Sequence, residues 1–96
     1  MASKLQTSII KYLDKENIYN FVTVSSNRRG IADIIACVDG LFLAIEVKDK
    51  GDTIKPLQRL ESKSIHDSKG FSMFAFSLED VKEQVKILQK RSKKLQ

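Results

Sequence analysis

The dipeptide Asp39-Gly40 stands between two apolar runs, Ile31 to Val38 and Leu41 to Lys48. A two-residue loop of this composition selects the hairpin turn in which both central residues take positive φ, a conformation that Asp tolerates and Gly favours. Such a turn removes freedom of register. Val38 opposes Leu41, and counting back along both strands sets Asp33 opposite Glu46.

Directly opposed residues of an antiparallel pair share one face of the sheet, with Cβ atoms about 4.5–5.5 Å apart, and two like charges so placed destabilise the pair. Lys48 lies two residues beyond Glu46 and therefore on the same face. The flanking Ile34, Ile35, Ala44, Ile45 and Val47 are apolar on both pleats, which predicts strands buried on both sides. Two carboxylates at this separation suit a hard divalent cation such as Mg²⁺, which takes oxygen ligands and keeps several waters. These are the components of phosphodiester hydrolysis: a metal to bind a phosphate oxygen and acidify a water, and Lys48 to orient that water. The alternative is a solvated Glu46–Lys48 surface pair with Asp33 at a strand end.

Around this hairpin the hydrophobic spacing predicts five more elements. Leu5, Ile9, Ile10 and Leu13 recur at helical spacing and predict a helix to about Lys15, with Lys4, Lys11 and Asp14 on its polar face. Tyr19 to Ser25 is aromatic and β-branched and predicts a first strand, closed by the turn Ser26 to Gly30. After the polar stretch Asp49 to Thr53, Pro56 suits the first turn of a helix ending near Gly70, with Leu57, Leu60 and Ile65 inward. Phe71 to Phe76 predicts a fourth strand, with Phe71, Met73 and Ala75 on one face and Phe74 and Phe76 on the other. Ser77 and Asp80 form a variant capping box ahead of the stripe Leu78, Val81, Val85 and Leu88, and the basic tail Lys90 to Lys94 is expected to fray. The expected order is helix, three strands, helix, strand, helix, in one domain over 1–96.

The 42% hydrophobic content supports one compact core, and 17 basic against 12 acidic residues, a formal charge of +5, favour a polyanionic partner. Cys37 is the only cysteine, which excludes an internal disulfide; its place in an apolar run predicts a buried thiol and a reducing location. No run approaches a bilayer span, so the expectation is a cytoplasmic protein without membrane association. There is no glycine-rich phosphate loop, no GxSxG and no zinc motif, so a nucleotide cofactor and serine hydrolase chemistry have no support. His66 has no metal-binding spacing to another His or Cys and is expected to be structural or exposed.

The pattern Gly30-Ile31-Ala32-Asp33, then Glu46-Val47-Lys48, then Gly51 and Gln58 resembles the PD-(D/E)xK nuclease superfamily, and within it the VRR-NUC group. Ala32 departs from the proline often found before the first acid. The first turn of the N-terminal helix offers Ser3, Lys4 and Gln6 where related nucleases often carry a glutamate.

The resemblance implies an α/β (α+β) fold with a restriction-endonuclease-like αβββαβ core, a central mixed sheet flanked by helices, and an extra C-terminal helix. It further implies Mg²⁺-dependent endonuclease activity on DNA, with Mn²⁺ able to substitute. Asp33, Glu46 and the main-chain carbonyl of Val47 would bind the metal, Lys48 would assist the attacking water, and Gln58 would support the site. Small stand-alone members, often from phages, resemble Holliday-junction resolvases, which implies a homodimer acting on branched DNA in the host cytoplasm. Arg28, Arg29, Lys50, Lys55 and Arg59 bracket the site in sequence and are the expected DNA phosphate contacts. Two other functions suit the same residues: an inactive nuclease-fold module that binds DNA, and an RNA-processing nuclease.

Overall fold

A computed structural model of the chain describes residues 3–24 and 27–95. The elements are α1 (Lys4–Lys15), β1 (Tyr19–Val22), β2 (Ile34–Val38), β3 (Leu41–Val47), α2 (Pro56–Asp67), β4 (Phe71–Ala75) and α3 (Leu78–Lys94). This is the order expected from periodicity. The four strands form one mixed sheet in the order β1-β2-β3-β4, antiparallel except for the parallel β3–β4 pair.

The turn behaves as its composition requires. Asp39 and Gly40 have φ of 49° and 88°, and Val38 pairs with Leu41 and Ile34 with Ile45. The ladder stops there. In that register Ala32 would face Val47, but the Val47 N–H donates to Asp33 Oδ2 at 2.8 Å instead. A side chain has taken the donor that backbone pairing would use, so β2 begins at Ile34 rather than Ile31. β1 is also shorter than expected, ending at Val22, although Thr23 still donates from its N–H to the Asp33 carbonyl at 2.9 Å. Ser25 and Ser26, which the expected strand and turn include, lie outside the described residues.

One face of the sheet packs on α1 and α3. Ile9, Leu13, Ile34, Leu43, Ile45, Val81, Val85 and Leu88 are all buried in this cluster, with Phe71, Met73 and Leu78 packed against it. α3 does not fray at its basic end: Ser92 is buried and donates its hydroxyl to the Asp39 carbonyl at 2.8 Å, and the Arg91 guanidinium stands 5.3 Å over the Phe71 ring. Docking on the hairpin turn and on β4 thus satisfies the last helical turns. At the other end Ser77 caps α3 through the Asp80 N–H, while Asp80 accepts from Phe76 N, one residue further back than a standard capping box.

The opposite face is covered only in part. β3 is buried through Leu43, Ala44, Ile45 and Glu46, as expected, but β2 alternates, and Cys37 is exposed. Cys37 lies between Tyr19 and Phe42 in register, and both of these rings are exposed, so the expected buried thiol faces solvent on a bare stretch of sheet. One equivalent of a disulfide thiol reagent is therefore expected to react with the native protein within about tenfold of its rate in denaturant. Protection beyond a hundredfold, followed by absorbance, would contradict this exposure.

α2 covers β3 and β4 with Ile65 inward, as apolar spacing predicts, but not with Leu57 and Leu60. Leu57 and Leu60 are 47% and 61% exposed, and the half-buried residues are Gln58, Glu61, Ser62 and Ile65. This is the same i, i+3, i+4, i+7 stripe rotated by one residue. Its surface is polar because the sheet beneath it is polar, presenting Glu46 and Ser72. The helix ends at Asp67, short of Gly70, with Lys69 in the left-handed region at φ 71°. No helix among the described residues is long and apolar enough to cross a membrane.

Candidate active site

Glu46 and Lys48 come from the end of β3, beside β4. The Lys48 N–H donates to the Ala75 carbonyl at 2.8 Å, which extends the parallel pairing past the strand. Both residues are buried, at 8% and 6% exposure, so a solvated surface pair does not describe them. Asp33 precedes β2, and its backbone is held by Thr23 while its carboxylate takes the Val47 N–H. The acids therefore converge as the register requires, with Asp33 placed by hydrogen bonds at a strand end rather than by the ladder.

Gln58 joins the two ends of the Glu46–Lys48 pair. Its Nε2 donates to Glu46 Oε1 at 2.8 Å, and its Oε1 accepts from Lys48 Nζ at 2.7 Å and from the Lys55 N–H at 3.0 Å. Only this orientation of the amide works, since reversal would set its N–H donors against an ammonium and its oxygen against a carboxylate. Lys48 Nζ also donates to the Thr53 carbonyl at 3.0 Å. Among the described residues Lys48 makes no direct ion pair with an acid; its ammonium is hydrogen-bonded to two neutral oxygens and acts on Glu46 through its charge.

The carboxylates are less well provided for. Glu46 Oε2 is the one buried side-chain polar atom without a hydrogen-bond partner among the described residues. Burial pushes the Glu46 carboxyl up to about 7, and Asp33 adds to this by its charge and by a hydrogen-bonding approach, against Lys48 and Gln58, which pull it down. Two acceptors brought together can share a bond only through a proton or a cation. A cavity of about 20 Å³ beneath α2, lined by Glu46, Gln58, Glu61, Ser62 and Ser72 among others, has room for about one water. The Ser62 and Ser72 hydroxyls are hydrogen-bonded to each other across it.

Gly30 sets the position of α2. A Cβ at Gly30 would lie 2.6 Å from the Leu57 carbonyl oxygen and 2.8 Å from its carbon, and φ at Gly30 is +74°. Only glycine lets the loop before Asp33 touch the first turn of α2, the turn that carries Gln58. Arg28 secures the same junction with two bonds of 3.0 Å from Nε and Nη2 to the Glu61 carboxylate.

The structure thus brings Asp33, Glu46, Lys48 and Gln58 together. Of the expected DNA contacts, Arg28 is tied to Glu61, Lys55 at the start of α2 donates its N–H to Gln58, and Arg29, Lys50 and Arg59 are exposed. His66 is exposed. Residues missed by sequence reasoning are the Thr53 carbonyl, Gly30 as a contact point, and Glu61. A polar helical stripe at 58, 61 and 62 was the available signal for the last of these. Among the described residues there is no cluster of three or more His, Cys, Asp or Glu side chains able to hold a metal, so the acidic donors at this site are two. Comparison with known families and with curated proteins gives no match, and the function has to be argued from these side chains.

Proposed function

We propose that the chain is a metal-dependent endonuclease acting on DNA. The observation that carries this reading is the orphaned, buried Glu46 Oε2 beside the Asp33 carboxylate. A purely structural site gains nothing from a buried carboxylate oxygen with no donor, whereas a hard cation satisfies it and removes the repulsion between the acids. The donor set fits Mg²⁺ or Mn²⁺: Asp33, Glu46 and the main-chain carbonyl of Val47 would hold it, with waters completing the shell. When bound, the metal supplies Lewis-acid polarisation of the scissile phosphate and a lowered pKa for water.

The chain's own residues account for the remaining requirements. Lys48 has three N–H donors and commits two, to Gln58 and Thr53, leaving the third to orient the attacking water or to steady charge on the phosphate. Gln58 keeps Lys48 and Glu46 at fixed separation. The order of elements and the mixed sheet are compatible with the restriction-endonuclease-like core, and this supports placing the chain in the VRR-NUC group of PD-(D/E)xK nucleases. No acid lies in the first turn of α1, which favours one metal over two. A homodimer would give a matched pair of sites for opposed strands, and sedimentation would measure it.

The test is incubation of a four-way junction and a matching linear duplex with Mg²⁺, Mn²⁺ or chelator. Metal-dependent cutting is expected, and Asp33→Ala and Lys48→Ala should each lower it by at least about a hundredfold with the fold retained. Folded protein that binds DNA but cuts none with either metal would leave a binding module, and faster cutting of the RNA version of the same substrate would make it an RNA nuclease.

A further inference from the structure

The charge of the chain is unevenly placed. Five of its 17 basic residues, Lys86, Lys90, Arg91, Lys93 and Lys94, lie beyond Gln84, where there is no acid; the other 12 match the 12 acids, so the whole formal charge of +5 resides on the second half of α3. Lys86, Lys90, Lys93 and Lys94 are exposed, on the side of the helix away from the buried Val81, Val85, Leu88 and Ser92. None of the four has an acidic partner among the described residues. Ser92 on the Asp39 carbonyl and Arg91 over the Phe71 ring hold this stretch against the hairpin turn and β4, so the lysines form a fixed ladder and not a loose tail. α3 packs on the face of the sheet opposite Glu46 and α2, which sets the ladder apart from the candidate active site.

Helix electrostatics do not account for this ladder. Cations gain from the macrodipole only within the last turn, which covers Arg91, Lys93 and Lys94 but not Lys86 or Lys90. Like charges four residues apart, as in Lys86 with Lys90 and Lys90 with Lys94, destabilise the helix. A polyanion removes that repulsion. Duplex DNA carries one charge per about 1.7 Å of its axis, so the roughly 12 Å of helix from Lys86 to Lys94 would face about seven phosphate charges. Other occupants fit less well. A lipid surface takes up a helix by an apolar face, and that of α3, Val81, Val85 and Leu88, is buried in the core, leaving Ile87 and Leu95 exposed. The rest of a second copy carries cations and acids in equal number, and so offers no field to attract the ladder.

We propose that the lysine ladder of α3 is a second DNA-binding surface, which holds the phosphate backbone of duplex DNA without reading its sequence, on the opposite side of the sheet from Glu46. This rests on the nuclease reading only for the choice of DNA as the polyanion, and binding can be measured without cleavage. Fluorescence anisotropy of a labelled continuous duplex, in chelator and over a salt series, would compare the wild type with Lys86→Gln/Lys90→Gln/Lys94→Gln. Loss of three phosphate contacts should weaken binding by at least about tenfold and reduce the slope of log affinity against log salt by roughly two to three. Acetylation of lysines, read by mass spectrometry, locates the surface: bound duplex should protect Lys86, Lys90, Lys93 and Lys94 more than the exposed Lys11 on α1 and Lys63 on α2. The substituted lysines are exposed and the variant loses like-charge neighbours, so its melting temperature should be unchanged or higher.

The proposal is overturned if the wild type does not bind duplex, if the triple variant keeps the wild-type affinity and salt slope, or if duplex protects Lys11 and Lys63 as strongly as the ladder. It is also overturned if the variant keeps duplex binding and loses instead its binding to phosphatidylserine vesicles, which would make the ladder a lipid surface. Intact duplex binding with a lower sedimentation mass would overturn it too, by making the ladder a contact between copies. Ladder-dependent duplex binding with no cutting of any DNA by either metal would sink the nuclease reading alone. Metal-dependent cutting with an unprotected ladder would sink this one alone.

Discussion

Glu46→Gln is expected to reduce metal-dependent cleavage of DNA to background, at least about a thousandfold, while making the metal-free protein more stable at pH 8. The two effects share one cause. In the folded chain the Glu46 carboxyl is pushed up to about 7 from the ordinary value of 4.5, first by burial and then by Asp33. Between those values the folded protein holds a proton that the unfolded chain has released, so stability falls as pH rises through that window, and the loss is complete above about pH 7. Glutamine keeps an oxygen to accept from Gln58 Nε2 but has no charge to bury. Thermal scans should show a melting temperature that declines from pH 5 to pH 8 in the wild type and a flatter profile in the variant, the two differing by about 5 °C at pH 8. Mg²⁺ should recover stability for the wild type at pH 8 and not for the variant. A variant less stable than the wild type at pH 8, with an unchanged pH slope, would show that the acids do not oppose one another.

Gly30→Ala is expected to be the most damaging small substitution outside the core. A methyl group there meets backbone atoms of Leu57 at 2.6 and 2.8 Å, and backbone cannot rotate away as a side-chain tip can. The left-handed φ of +74° adds a cost of about 1–2 kcal/mol for any residue with a Cβ. Together these should lower stability by about 3 kcal/mol, a fall in melting temperature of more than about 10 °C. Whatever folds should have α2 displaced, with Gln58 drawn from Glu46 and Lys48 and cleavage reduced. Gly51→Ala is the control, because Gly51 has φ of +91° but nothing within 4 Å of the added carbon, so it should show the backbone cost alone. Equal losses in the two variants would mean that the loop and α2 do not touch as described.

The contrast between these glycines marks what a sequence can and cannot convey. Both occupy polar loops, and nothing local separates a glycine needed for a turn from one needed because a distant helix presses on it. Glu61 and Gln58 are a similar case. Helical spacing located the stripe on α2 to within one residue, but apolarity selected Leu57 and Leu60 as its inner face. That rule assumes an apolar surface beneath the helix, and here the surface carries Glu46 and Ser72. Cys37 misled for the converse reason: an apolar neighbourhood in sequence does not reveal that part of a sheet face has no helix over it.

The sequence by itself determined the hairpin, because Asp39-Gly40 permits one turn and the pleat then carries that register to every side chain on both strands. The turn and alternation direct Asp33, Glu46 and Lys48 to one neighbourhood, although the ladder itself ends at Ile34. Only the tertiary structure decided how the three are held: Asp33 by the Val47 N–H, Lys48 by the Thr53 carbonyl, and Lys48 with Glu46 by Gln58. It alone left Glu46 Oε2 without a donor among the described residues. Hydrogen-bond satisfaction depends on where α2 docks, and that position is set by the close approach at Gly30 and the Arg28–Glu61 ion pair, which join segments remote in the chain.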